Sequence, residues 1–193
     1  MSNPSGESRI PRLSIEDARA AAESAGIRPE MAELSVFRVL LRHPELAKVL
    51  NGMLGMLLFQ GNKLDKRLRE LIIMRIGWTT GSCHEWTQHW RVARQLDIPE
   101  DVILAVRDWK SSTVLDQADR AVLQATDETL EHGTISPETW ALCEKYVPDE
   151  QARLELPVAI GNWRLFSQML RSLEIPLEDG VAAWPPDGLE PTS

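Results

Sequence analysis

The sequence predicts an all-α fold of about eight helices around a central helical hairpin at residues 64–96. Three observations support this prediction. Apolar residues recur at spacings of three and four, as they do along one face of a helix. These runs begin at Ser, Asp or Pro and end at Gly or before Pro, which are helix start and stop signals. No stretch shows the sustained alternation of apolar and polar residues that is typical of a β-strand.

Three helices are predicted before the hairpin. Ser14 begins the first helix, and Gly26 ends it in the manner of a C-cap glycine. The second begins at Pro29 and ends where Pro44 begins the third, because proline disfavours a helical conformation in the residue before it. The third helix continues to about Gln60.

Four helices are predicted after the hairpin, over residues 99–109, 116–132, 136–146 and 148–173. We expect Pro157 to kink or split the last helix near Glu155, because proline lacks the backbone donor that a helix interior needs. Trp184 and the two prolines after it are expected to anchor the C-terminal segment.

The predicted organisation is one domain with short flanking segments. It comprises a flexible leader (1–12), a single helical domain (13–178) and a C-terminal tail (179–193).

The first helix of the hairpin begins at Asp65, a favoured N-cap residue type, and a Thr-Thr-Gly-Ser turn follows it. From about residue 70 this helix is apolar nearly all round, which predicts burial on both faces. Glu70 and Arg75 lie within this apolar surround. Because buried charges need partners or shifted protonation, we expect both side chains to be paired or perturbed.

The second helix of the hairpin places titratable groups in an apolar stripe. At roughly 100° per residue, seven residues share one face: Ser82, Glu85, Trp86, His89, Val92, Ala93 and Leu96. Glu85 and His89 lie one turn apart in the middle of this stripe. Cys83 and His84 project away from it.

Composition excludes several classes of function. The formal net charge of −8 disfavours nucleic acid or an anionic membrane as a partner. The longest apolar stretch, Met53–Phe59, is far shorter than the roughly 20 residues of a membrane span. Two cysteines far apart in sequence indicate a reducing compartment, and the first residues lack the apolar core of a secretory signal. We therefore expect a cytoplasmic protein.

Two interpretations of the titratable residues remain open. Glu70, Glu85 and His89 form either a structural hydrogen-bonded network or a proton-transfer site. Carboxylates against apolar neighbours have raised pKa values and histidine titrates near neutrality, which suits proton transfer.

Metal and thiol chemistry are both disfavoured. His84 and His89 resemble the ends of a His-Glu-x-x-His zinc motif, but an extra residue separates them by about 140° around the helix. They cannot share a metal, and we expect no metal and no cofactor. Cys83 has no second cysteine near it in sequence, since Cys143 lies on another helix, so we expect a free thiol.

The hairpin resembles the carboxymuconolactone decarboxylase family. The resemblance rests on an Arg-Glu-Leu helix, a Glu-Trp pair, a histidine and an Ala-Arg pair, here Arg69-Glu70-Leu71, Glu85-Trp86, His89 and Ala93-Arg94. It extends loosely over residues 35–178, and His84 stands where the family often has Tyr. The resemblance implies the alkylhydroperoxidase D-like helical bundle and assembly as a homo-oligomer, a trimer or a hexamer.

The family has two branches with different chemistry. One contains decarboxylases and related lyases of small lactone acids. The other contains alkylhydroperoxidase D-like thiol peroxidases, whose Cys-x-x-Cys pair falls on Ser82 and Glu85 here, while their glutamate and histidine match Glu70 and His89. The acid–base part of such a site is therefore retained and the redox part is absent.

The resemblance therefore predicts a cofactor-free lyase-type enzyme acting on a small carboxylate or lactone, as in aromatic-compound catabolism. The expected catalytic residues are His89, Glu70 and Glu85, with His89 or Glu70 as the proton donor. The candidate substrate-binding residues are Arg75, Arg69, Ser82 and Trp86. A thiol peroxidase (a peroxiredoxin-type activity) and a non-enzymatic helical assembly are the alternatives.

Overall fold

The computed structural model describes residues 7–192, in which the helices are the only regular elements. Nine α-helices and two short 3-10 helices appear there, and no strand. The predicted all-α class is confirmed. Residues 1–6 of the predicted leader lie outside the described residues, and the predicted division into leader, domain and tail stays a prediction.

The described chain separates into two compact units. One comprises Met1–Gly61 with Met169–Val181, and the other comprises Asn62–Gln168 with Ala182–Ser193. The first unit contains α1 (Ile15–Ala25), α2 (Ser35–Leu40) and α3 (Pro44–Leu58).

Local capping explains where the helices of the first unit begin and end. The Ser14 hydroxyl accepts from the Asp17 amide, and Gly26 ends α1 with φ of 70°, where glycine has no Cβ penalty. The predicted helix over 29–43 is wrong in detail. It is a 3-10 helix over Pro29–Glu33, an extended Leu34 and then α2. The Glu178 carboxylate accepts from the Ser35 amide at 2.9 Å and so caps α2.

The second unit holds the predicted hairpin. Its helices are α4 (Lys66–Thr80), α5 (Cys83–Gln95), α6 (Glu100–Ala105), α7 (Gln117–His132), α8 (Pro137–Tyr146) and most of α9 (Glu150–Ser172). Asp65 caps α4 as predicted, accepting from the amides of Arg67 and Leu68. After α6 the chain continues as a 3-10 helix, Val106–Asp108, so the predicted helix over 99–109 changes type near its end.

Helix α9 is continuous through Pro157, so a split near Glu155 is wrong. A proline inside a helix costs about 3 kcal/mol in isolation. Here the neighbouring Leu156, Ala159 and Ile160 are fully buried, and that burial offsets the cost. The Glu155 carboxylate accepts from the amides of Lys63 and Leu64 at 2.8 Å, which fastens α9 to the start of the hairpin.

A tryptophan-rich core lies between α4, α5, α6 and the C-terminal segment. It includes Leu71, Met74, Trp86, Trp90, Trp109 and Trp184. Trp184 anchors the C-terminal segment as predicted, because its ring is buried and its amide donates to the Thr87 hydroxyl at 3.2 Å. None of the described helices has the length and apolar character that crossing a membrane requires.

Candidate functional site

Helix α4 supplies a buried ion pair at the centre of the second unit. Glu70 is fully buried and Arg69 is 3% exposed. The Arg69 guanidinium donates to Oε1 of Glu70 through Nε at 3.0 Å and through Nη2 at 2.8 Å. The second carboxylate oxygen of Glu70 is thereby left for another donor.

Helix α5 brings His89 to that second oxygen. His89 Nδ1 lies 2.7 Å from Oε2 of Glu70, so two residues that the sequence predicted to converge are in contact. Close approach of α4 and α5 makes this geometry possible. A Cβ built on Gly77 of α4 would lie 2.9 Å from the backbone nitrogen of Trp86, so only glycine fits there.

Helix α9 adds Trp163, which the sequence did not predict as a site residue. The Trp163 indole N–H donates to Nε2 of His89 at 3.2 Å, and the two rings meet edge to face at 5.8 Å. In the sequence, Trp163 is one apolar residue on the buried face of a helix. Nothing in that pattern distinguishes it from an ordinary core tryptophan.

These partners assign the tautomer of His89. An indole nitrogen only donates, so Nε2 must accept and carries no proton. An ionised carboxylate only accepts, so Nδ1 carries the proton that faces Glu70. Both contacts are satisfied when His89 is neutral, with its proton on Nδ1 and none on Nε2.

Glu85 is the one acid of the cluster without a hydrogen bond among the described residues. Its Oε2 lies 3.6 Å from Nε2 of His89, which is too long for a hydrogen bond. The residue is 5% exposed, so its carboxyl is nearly buried and faces the histidine from one turn away on α5.

The electrostatics of the cluster separate its two carboxyl groups. Burial would raise the pKa of Glu70, but the charges and hydrogen bonds of His89 and Arg69 outweigh it, and the pKa is lowered. Burial raises the pKa of Glu85 to about 7, with Glu70 adding to the rise and His89 opposing it. Burial lowers the pKa of His89, but Glu70 and Glu85 reverse that effect and raise it. The lowered pKa of Glu70 thus favours its anion, while the raised pKa values of Glu85 and His89 favour the protonated form of each.

Ser82 lies at the start of α5, on the stripe that carries Glu85 and His89. Ser82 is 1% exposed, and its hydroxyl oxygen has no hydrogen-bond partner in the described part of the chain. An unsatisfied buried hydroxyl costs about 1–3 kcal/mol, so a ligand that bonded it would gain that energy.

Two other predicted substrate-binding residues have structural partners. Arg75 donates to both oxygens of Asp127, through Nε at 2.6 Å and Nη2 at 3.0 Å, and to two carbonyls. The Trp86 indole donates to the Pro185 carbonyl at 2.8 Å. The structure therefore brings Arg69, Glu70, Glu85 and His89 together and engages Arg75 and Trp86 elsewhere.

Neither cysteine has the character of an activated thiol. Both are free. Burial raises the pKa of Cys83, and it raises that of Cys143 to about 11. A raised pKa reduces the thiolate fraction that thiol chemistry requires.

A family model matches the segment that contains this hairpin. The model of the carboxymuconolactone decarboxylase family matches residues 44–128, which contain both helices of the hairpin. The match confirms, over this segment, the family resemblance seen in the sequence. Curated proteins give no match to the chain.

Solved structures match most of the chain. An alkylhydroperoxidase AhpD core, a peroxidase-related protein from Ralstonia eutropha JMP134, has a TM-score of 0.72 and 15% identity over 89% of this chain and 93% of its own. A peroxidase-related protein from Silicibacter sp. TM1040 has a TM-score of 0.70 and 12% identity over 86% of this chain and 85% of its own. The debrominase Bmp8, in complex with 2,3,4-tribromopyrrole, has a TM-score of 0.68 and 16% identity over 88% of this chain and 91% of its own. At these identities the likeness establishes the alkylhydroperoxidase D-like fold alone.

Proposed function

We propose that this protein is a cofactor-free acid–base enzyme in which Glu85 is the group that exchanges a proton with the substrate. One observation carries the proposal. Within residues 7–192, Glu85 is a nearly buried acid without a hydrogen bond, 3.6 Å from a histidine whose two nitrogens both have partners. A free acid with a pKa of about 7 is suited to proton transfer at neutral pH.

This proposal changes the proton donor expected from the sequence. His89 or Glu70 was the expected donor. Glu70 accepts from Arg69 and His89 and is held ionised, and Nε2 of His89 is covered by the Trp163 indole. Glu85 is the member of the cluster whose proton is free to leave.

The substrate class that we propose is a small lactone or conjugated carboxylic acid. When its carboxylate leaves as CO₂, the carbon–carbon bonding pair passes into the conjugated carbonyl and forms an enolate. Glu85 gives its proton to the enolate carbon and becomes a carboxylate, which regains a proton from solvent. The Ser82 hydroxyl, which has no hydrogen-bond partner among the described residues and lies on the same stripe as Glu85, would donate to a substrate oxygen.

Binding of the substrate carboxylate by Arg75 or Arg69 stays a prediction. Each guanidinium already pairs with a carboxylate of the protein, Arg75 with Asp127 and Arg69 with Glu70. Either role therefore requires an internal ion pair to open.

Thiol peroxidase activity is the alternative, because two of the structural neighbours are peroxidase-related proteins. The positions matching the redox cysteine pair of that branch are Ser82 and Glu85 here. The two free thiols have raised pKa values. We therefore favour acid–base chemistry over disulfide cycling.

The test is a screen of lactone carboxylic acids for CO₂ release, followed by variants assayed on the compound that turns over. Glu85→Gln keeps the side-chain shape and removes the proton, so we expect kcat to fall about 100-fold or more. Glu131→Gln, at a side chain that is 74% exposed, is the control and should retain activity.

Three results would overturn the proposal. One is near-native turnover by folded Glu85→Gln or His89→Ala. Another is peroxide reduction coupled to a dithiol, with disulfide formation. The third is inertness towards every lactone acid, which favours a non-enzymatic helical assembly.

We also propose that the protein forms a homo-oligomer, a trimer or a hexamer. One face of α3 exposes Leu46, Val49, Met53 and Met56, with Val49 66% exposed. A contiguous apolar face of this kind is typical of a protein–protein interface. Light scattering of the intact protein and of Val49→Asp tests this, since the charge should dissociate the assembly. A monomeric parent protein contradicts it.

A further inference from the structure

We propose that Trp163 is a positioning residue that keeps the proton shared by His89 and Glu85 on Glu85. This inference rests on the proposed function, because it explains how the acid that meets the substrate stays protonated. Its basis is the geometry at Nε2 of His89, where Trp163 Nε1 lies at 3.2 Å and Glu85 Oε2 at 3.6 Å.

Two donors compete for Nε2 of His89. Nε2 has one lone pair, which accepts either the indole hydrogen or a proton of its own. If His89 is protonated at Nε2, the Trp163 N–H and the His89 N–H point at each other and the hydrogen bond is lost. The indole therefore penalises the charged histidine.

The proton that Nε2 of His89 could hold can be held instead by the Glu85 carboxylate. Two titratable groups in close contact exchange protons as a coupled pair. A contact that disfavours the proton on His89 therefore favours the proton on Glu85. The pair then consists of neutral His89 and protonated Glu85, which is the reactive form of the proposed acid.

The remaining charged groups around His89 act in both directions. Helix α4 contributes the Glu70 carboxylate, which favours protonation of His89, and the Arg69 cation, which opposes it. Helix α5 contributes Glu85, which favours it. Helix α9 contacts His89 through Trp163, which carries no charge. Replacing Trp163 changes the hydrogen bond and leaves these charges in place.

The experiment is a pH titration of the His89 side-chain nitrogens by ¹⁵N NMR in the full-length protein without substrate. In the parent protein we expect Nε2 to give the signal of an unprotonated nitrogen and Nδ1 that of a protonated one. In Trp163→Phe, we expect the midpoint of Nε2 protonation to rise by roughly half to one pH unit, which is the worth of one neutral hydrogen bond.

Two further proteins separate the hydrogen bond from the loss of ring volume. Benzothienylalanine at position 163 keeps the ring shape without an N–H, and should shift the midpoint as Trp163→Phe does. Trp90→Phe removes a buried indole of α5 that is not one of the hydrogen-bond partners of His89, which are Glu70 and Trp163, and should leave the midpoint unchanged.

An unchanged or lowered midpoint in the benzothienylalanine protein overturns the inference. Because this readout needs no substrate, it is independent of the decarboxylation assay. If the ¹⁵N shifts follow the expectation while Glu85→Gln stays active on the substrate, the proposed function fails and the role of Trp163 stands.

Discussion

Gly77 sets how closely the two helices of the hairpin approach, and replacing it with alanine should separate them. The added Cβ would lie 2.9 Å from the Trp86 backbone nitrogen and 3.4 Å from Cβ of Glu85. The backbone of Trp86 cannot rotate away from the added methyl group as a flexible side chain could. Helix α5 must therefore shift, and Glu85 shifts with it.

The magnitude follows from two opposing terms. Replacing Gly by Ala inside a helix stabilises it by about 0.8–1 kcal/mol. Forcing a methyl group into a packed interface costs about 1–3 kcal/mol. Gly161 of α9 supplies the matched control, because a Cβ there meets nothing within 4 Å. Gly161→Ala should thus be stabilising by up to about 1 kcal/mol, and Gly77→Ala should be less stable than Gly161→Ala by about 1–3 kcal/mol.

Urea unfolding of both variants against the parent protein measures the difference. The urea midpoint should rise for Gly161→Ala, and the midpoint of Gly77→Ala should lie clearly below that of Gly161→Ala. Equal stabilisation by the two substitutions would refute the close helix approach. Gly77→Ala should also lower turnover of an identified substrate, because Glu85 lies beside the displaced backbone.

Three further predictions concern the buried charges and the C-terminal segment. Glu70→Gln removes the buried carboxylate that Arg69 and His89 contact, and should lower the free energy of unfolding measured in urea by about 3–5 kcal/mol. A loss below about 1 kcal/mol would show that the ion pair is dispensable. Burial raises the pKa of Glu85 from 4.5 to about 7, so the folded protein holds a proton that the unfolded chain releases. Stability should therefore fall by up to about 3 kcal/mol as the pH rises from about 4.5 to about 7, and Glu85→Gln should flatten that fall in urea unfolding at a series of pH values. Trp184→Ala should increase the rate at which Cys83 reacts with Ellman's reagent, because Trp184 covers that side of α5, and an unchanged rate would contradict the anchoring role.

The hairpin and its polar stripe were predictable because they depend on short-range spacing. Glu85 and His89 share a face of one helix by their separation of four residues. Glu70 lies on the adjacent helix of the same hairpin, and an apolar surround predicted that it would be buried and paired. The cap at Asp65 follows from residue type alone.

The rest of the site depends on how distant helices are rotated against the hairpin. Trp163 lies 74 residues after His89 in the chain, and no spacing rule connects them. The ion pair of Arg75 could not be predicted for the same reason, since its partner Asp127 is 52 residues away in the chain. The helix predicted from Pro29 failed for a similar reason, because Glu178, 143 residues from Ser35, supplies the cap that begins α2.

The proposed chemistry requires an acid at position 85 that titrates near neutral pH. The most direct test is an NMR titration of the Glu85 carboxyl carbon in ¹³C-labelled protein, with Glu85→Gln identifying the signal. We predict a midpoint near pH 7, because burial of the carboxyl raises its pKa to about 7. A midpoint near the ordinary value of 4.5 would contradict the assignment of Glu85 as the proton donor.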